Sequence, residues 1–302
     1  MPNLRDIKRR ITSVQKTQQI TRAMRMVAAA KLRRAQEAME AARPYAQRMR
    51  NTLSEVAGAQ QDAAHPLLER RETVKCLEVV AVTSDRGLAG AFNANVVKRT
   101  VSWLSERNST QRPESVVVTT VGRKATDHFR RHHDGELGES YETPGWVDYE
   151  QAARIAKRLC QRYEGGEVDE VVLVYSEFVS TLTQSPIVVP LLPLSPAEPQ
   201  SEPAAVDTRA DEKAELKSPH SFEPDPEKLL GLLAPTAIEV EIFRALLENQ
   251  AGEHAARMTA MENATRNTEE LIDTLTLEFN RARQAAITKE LVEIVTGAQA
   301  LE

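Results

Sequence analysis

Residues 4–56 read LRDIKRRITSVQKTQQITRAMRMVAAAKLRRAQEAMEAARPYAQRMRNTLSEV, and one periodicity runs through the whole stretch. Leu4, Ile11, Gln18, Arg25, Leu32, Met39, Ala46 and Leu53 recur every seventh residue. Three places after each stand Ile7, Val14, Thr21, Ala28, Ala35, Ala42, Met49 and Val56. Alternating spacings of three and four return side chains to one stripe of an α-helix, the seam of a coiled coil. No glycine occurs before Gly58, and Pro44 is the one interior breaker, a place where the helix loses a hydrogen bond and bends. At about 1.5 Å per residue such a helix spans roughly 80 Å, too long for a compact core.

The carboxyl end mirrors this pattern. Met258, Met261, Thr265, Thr268, Ile272, Leu275, Phe279, Ala282 and Ala286 again alternate by three and four, predicting a helix from about Thr236 to about Thr296. Residues 1–57 hold 13 Lys/Arg against 4 Asp/Glu, whereas residues 225–302 hold 7 against 14. A basic and an acidic helix, far apart in sequence, pair most simply with each other in antiparallel fashion, burying both seams. Ala28, Ala35 and Ala42 permit close approach. The polar seam positions Gln18, Thr21 and Arg25 are expected to meet another protein. A compact bundle is the alternative, but no other segment is long enough to cover both helices.

Composition agrees with long helices: 302 residues, 41% hydrophobic, 27% charged, 4% aromatic and only 12 glycines. That excludes wholesale disorder. No run approaches the ~20 apolar residues of a membrane span. Cys76 and Cys160 cannot build a disulfide framework and suit a reducing compartment. A net charge of −5 argues against a globally basic nucleic-acid binder. The basic amino end carries a helical period from Leu4, so no targeting segment is expected.

Between the helices the period changes. Residues 76–82, 115–121 and 171–175 are β-branched runs of strand length, separated by helical stretches near 92–106 and 148–163. Such alternation predicts a small α/β domain with a mainly parallel sheet. Pro190 and Pro193 confine residues 186–194 to an edge strand. Residues 195–226 are rich in proline and acids without periodicity, and are expected to be a flexible insertion. The fold class is therefore α/β with long α. An antiparallel coiled coil of the terminal helices (1–58 and 227–302) joins a central Rossmann-like domain (74–194).

Sites of chemistry are few. Ser84–Gly90 follows a strand and precedes a helix, where a dinucleotide loop would sit. It reads Gly87-x-x-Gly90, without the first glycine of the fingerprint or a P-loop Lys-Ser/Thr. A structural turn is the favoured reading. His128 and His132 lie one helical turn apart but lack a third ligand, so no metal is expected. No Cys-His or Ser-His-Asp arrangement stands out, and no cofactor is expected.

The stretch 11–24, ITSVQKTQQITRAM, followed by Met26-Val27-Ala28-Ala29, resembles the amino helix of the γ subunit of F-type ATP synthase. Residues 83–93, TSDRGLAGAFN, resemble that family's central domain, and residues 282–291, ARQAAITKEL, with Glu293-Ile294 and Gly297-Ala298, its carboxyl signature. The three blocks stand in the family's order. The resemblance implies a non-catalytic rotor shaft: terminal helices inside a ring of three α and three β subunits, the α/β domain as a foot on the ε subunit and the membrane c-ring. It implies coupling of proton-driven rotation to ATP synthesis at the β subunits. It also implies a peripheral protein on the cytoplasmic face of a bacterial cell membrane, with no transmembrane segment. By the same resemblance Met24 and Arg257 face the β subunits, and Arg283, Gln284, Thr288 and Glu290 bond to β-subunit loops. Photosynthetic relatives carry a regulatory cysteine pair in an insertion. Residues 195–226 hold no cysteine, so no such thiol switch is expected. Two other readings remain open, a coiled-coil scaffold unrelated to rotation and a nucleotide-dependent enzyme using the Gly87–Gly90 turn.

Overall fold

The computed structural model describes residues 4–59, 65–71, 73–133, 135–143, 145–194 and 226–299. The proline-rich stretch 195–225 lies outside them. The order of elements is α1 (Leu4–Ala59), β1 (Cys76–Val82), α2 (Phe92–Thr110), β2 (Ser115–Val121), α3 (Arg123–His132), β3 (Glu136–Tyr141), α4 (Tyr149–Glu164), β4 (Glu170–Phe178), β5 (Gln184–Leu192) and α5 (Pro226–Gln299).

Contacts divide the chain into two units. The larger holds residues 32–87 and 91–253, built on a five-stranded sheet of order β3-β2-β1-β4-β5. β1 pairs in parallel with β2 and β4, β2 with β3 likewise, and β5 closes the β4 edge antiparallel. The strands are β-branched because both faces are covered. Leu77, Val79 and Ala81 face Val96, Leu104 and Phe129 of α2 and α3. Val80 and Val82 face Ile155 and Leu159 of α4, Leu53 and Val56 of α1, and Ala234, Ile238 and Ile242 of α5. Each fully buried Val or Leu stabilises by about 1.5–3 kcal/mol.

One charge interrupts the second core. Glu78 lies on the α4 side of β1, almost fully buried; Arg162 of α4 donates to it at 2.8 Å and the Thr119 hydroxyl of β2 at 2.6 Å. Burial pushes the Glu78 carboxyl above its usual range, against the pull of Thr119 and Arg162.

The smaller unit comprises residues 4–31, 88–90 and 254–299. Its helices run antiparallel: Arg25 faces Glu262 at 3.5 Å, and the Thr265 hydroxyl donates to Thr21 Oγ1 at 2.8 Å. Ile7, Ala28, Met261 and Leu275 are buried along this seam.

Residues 32–59 and 226–253, the inner parts of the two long helices, group with the sheet, because Leu53, Val56, Leu230 and Ile238 bury against it. The structure departs from the sequence reading in three places. α5 starts at Pro226, next to the 227 expected for the terminal segment, and carries Pro235 within it rather than beginning near Thr236 as the periodic stretch alone suggests. α3 and β3 add to the expected elements, β3 being a polar, exposed edge strand. Thr21, expected to face another protein, turns into the helix pair, where its hydroxyl also donates to the Gln18 carbonyl at 3.0 Å. A Thr265→Val change is expected to cost about 1 kcal/mol, and adding Thr21→Val to recover most of it, since removing both polar partners leaves nothing unsatisfied. A double-mutant cycle of thermal melts measures this; equal costs that simply add would contradict it.

Candidate subunit interface

Facing residues of the helix pair fix how far each helix reaches. Thr21 opposes Thr265, Arg22 lies 4.0 Å from Glu269, and Arg25 lies 3.5 Å from Glu262. The numbers of facing residues thus total 286 to 291, which sets Leu4 opposite residues 282–287. Beyond that point α5 has no α1 counterpart among the described residues. Every side chain from Ile287 to Thr296 is exposed. Five of them are large and apolar: Ile287, Leu291, Val292, Ile294 and Val295, with Ile294 68% exposed. Exposed apolar side chains gathered at one helix end make it a candidate binding surface.

Four of the six residues assigned by resemblance lie at this end. At 100° per residue, Arg283, Ile287, Glu290 and Ile294 share one stripe, and Gln284, Thr288, Leu291 and Val295 the next. Arg283, Gln284, Thr288 and Glu290 are all exposed. The Thr288 hydroxyl donates to the Gln284 carbonyl at 2.9 Å, so only its lone pairs stay open outward. Guanidinium, amide and carboxylate groups thus stand among apolar side chains, the mixture of apolar and hydrogen-bonding groups that protein interfaces use.

The other two residues lie elsewhere. Met24 is half-buried on α1 beside the Arg25–Glu262 pair, roughly 30 Å along the helix from Arg283 at 1.5 Å per residue. It joins Ile20 and Val27, both more than half exposed, at the i, i+4, i+7 spacing of one apolar stripe outside the seam. Ile20 and Val27 were legible as apolar positions off the seam, as were the apolar residues beyond Ile287; exposure is what distinguishes them. Arg257 is half-buried, its Nη1 3.3 Å from Nδ1 of His254 one turn earlier.

His254 is almost fully buried, and burial, with Arg257 and Lys31 beside it, pushes its imidazole down to about 4. The unfolded chain therefore binds more protons between that value and about 6.5, so stability rises with pH across this window and is complete above it. We expect about 2 kcal/mol of stability to be lost between pH 7 and pH 4 through this group, and His254→Leu to flatten that part of the profile in thermal melts. An unchanged slope in the variant would contradict the assignment.

The Ser84–Gly90 turn is occupied by internal bonds. The Ser84 amide donates to Asn93 Oδ1 at 2.9 Å, and Asp85 accepts from the amides of Arg123 at 2.8 Å and Thr143 at 3.0 Å. Asp85 thus caps the start of α3, and these groups are committed to holding loops together. His128 and His132 stack at 4.6 Å between ring centroids, with the His132 Nδ1 3.0 Å from the His128 carbonyl. Among the described residues no three His, Cys, Asp or Glu side chains cluster as a metal site, and no helix is long and apolar enough to cross a membrane.

A family model described as ATP synthase matches residues 3–301. The chain is 50% identical to the ATP synthase gamma chain of Desulforamulus reducens and 47% identical to that of an Anaeromyxobacter species (strain Fw109-5), in each case across all of both chains. It resembles the central stalk and c-ring structure of the Tetrahymena thermophila mitochondrial ATP synthase at 25% identity and a TM-score of 0.58, covering 81% of this chain and 99% of that one. The fold also matches a chain of the Euglena gracilis mitochondrial ATP synthase rotor, at 17% identity and a TM-score of 0.64, over 94% and 98% of the two chains.

Proposed function

The chain belongs to the ATP synthase gamma family, and from that premise we propose that it is the central shaft of a bacterial F-type ATP synthase. It works inside a complex with a catalytic head and a membrane ring, and the phosphoryl chemistry belongs to other subunits. The observation that carries this reading is the exposed end of α5, where Ile287, Leu291, Ile294 and Val295 stand beside Arg283, Gln284, Thr288 and Glu290. An apolar helix end with interspersed polar groups fits a bearing inside a ring of three α and three β subunits. The Met24 stripe is a second contact on that ring, and Arg257 a third. The sheet unit is the foot, resting on an ε subunit and the c-ring at the cytoplasmic face of the cell membrane.

Mechanically, ion flow through the ring turns the foot, and α5 carries the rotation into the head. Each orientation of an asymmetric shaft must bind the β conformations with different free energies, otherwise turning it could not bias them. Two mutually packed helices resist twisting better than one. Tagging the chain and purifying it gently is expected to yield one copy with three α and three β subunits and ATPase activity in that assembly. A lone chain or homo-oligomer would favour the scaffold reading instead.

A further inference from the structure

Within the sheet unit, α5 is held in a way that apolar packing alone does not explain. The eight successive residues from Ala245 to Gly252 are all buried. A helix runs through two turns in that length, so every one of its faces is covered there. Three of the eight, Glu248, Asn249 and Gln250, are polar, where a buried helix would ordinarily be apolar all round.

Their contacts reach different parts of the unit. Asn249 Nδ2 donates to the Thr83 carbonyl at the end of β1, 3.2 Å away. Gln250 Nε2 donates to the Gly145 carbonyl ahead of α4 at 3.4 Å. Arg244 Nη2 donates to the Tyr175 hydroxyl of β4 at 3.3 Å and to Glu241 at 2.8 Å. Gly252 lies flush against the Phe92 ring at the start of α2; a Cβ there would stand 2.9 Å from Cε2. At 100° per residue, with Asn249 set at zero, Gln250 points to about 100°, Arg244 to about 220° and Gly252 to about 300°. The helix is therefore gripped from four sides within about nine residues.

Apolar surfaces tolerate a small rotation of a helix about its own axis, because dispersion contacts are non-directional. Hydrogen bonds to fixed carbonyls do not, since they weaken steeply off-axis. We propose that Arg244, Asn249, Gln250 and Gly252 form a torsional clamp that fixes the rotation of α5 in the sheet unit, with Asn249 and Gln250 as its positioning residues. The clamp rests on the rotor reading: α5 is one continuous helix from Pro226 to Gln299, so torque entering the foot passes through this grip before reaching the head.

The test uses the assembled membrane-bound complex carrying Asn249→Leu with Gln250→Leu, which keeps side-chain bulk but removes both bonds. ATP hydrolysis and ATP-driven ion pumping are measured on the same vesicles. The clamp predicts hydrolysis within about twofold of the parent and a pumped-ion-to-ATP ratio lowered at least threefold. A merely structural role would lower both together and leave the ratio unchanged, which would overturn the proposal. Where the double variant does not assemble, Gln250→Leu, which loses only the 3.4 Å bond, is read by the same ratio. A parent complex that hydrolyses ATP but pumps no ions would fail the rotor reading itself; a pumping parent with an unaltered variant ratio overturns only the clamp.

Discussion

Arg283→Ala combined with Gln284→Ala is expected to lower MgATP hydrolysis of the assembled complex about tenfold while leaving the melting of the isolated chain unchanged. Both side chains are exposed, and neither makes a hydrogen bond or ion pair among the described residues. Truncating them therefore removes little from the folded chain. In the complex they would sit in the desolvated bearing, where a charge-assisted bond contributes about 1.5–3 kcal/mol and a tenfold effect corresponds to 1.4 kcal/mol. Arginine is, with Trp and Tyr, among the residue types enriched where binding energy concentrates, in the desolvated centre of an interface. Unchanged hydrolysis in a properly assembled variant would remove this turn from the interface. A chain that melts lower would instead assign both residues to stability.

The largest effect on stability is expected from Arg162→Ala. It leaves the Glu78 carboxylate buried in the sheet core with only the Thr119 hydroxyl, and breaking such a pair costs about 3–5 kcal/mol. Without its cation the folded-state carboxyl titrates higher still. A carboxyl whose folded value lies above its unfolded one favours folding at low pH and loses that contribution as pH rises. The variant should therefore be least impaired near pH 5 and most impaired near pH 7.5. Adding Glu78→Gln should recover a large part of the loss. Urea titrations at the two pH values measure both effects; a cost independent of pH would place the pair outside the core's electrostatics.

The two long helices and three of the parallel strands were legible because their signals are local. A seven-residue period needs no knowledge of the partner, and β1 and β2 begin and end where their β-branched runs do. β5 was legible as an edge strand from its prolines, and it ends the sheet antiparallel to β4. β3 was not legible, since Glu136-Leu137-Gly138-Glu139-Ser140-Tyr141 has no apolar alternation and its exposed edge needs none. Periodicity placed the start of α5 near Thr236 because Pro235 reads as a boundary, yet Ala234, Ala237 and Ile238 bury on both sides of it and outweigh one lost bond. Glu78 and Arg162 are 84 residues apart, and nothing in either neighbourhood announces the other. Of the interface, Arg283, Gln284, Thr288 and Glu290 were reachable only through resemblance. The reach of α5 past α1 emerged only from the pairing register, and with it the reason that Ile287 to Val295 lie bare.

Rotation is the central claim, and it is open to direct observation. The catalytic head would be fixed to a surface and a bead attached to the sheet unit of this chain, for instance through the exposed loop at Leu182. With MgATP supplied, the shaft reading predicts sustained rotation in one direction that stops when ATP is withdrawn. A bead that only fluctuates about one angle while the same complexes hydrolyse ATP would contradict it.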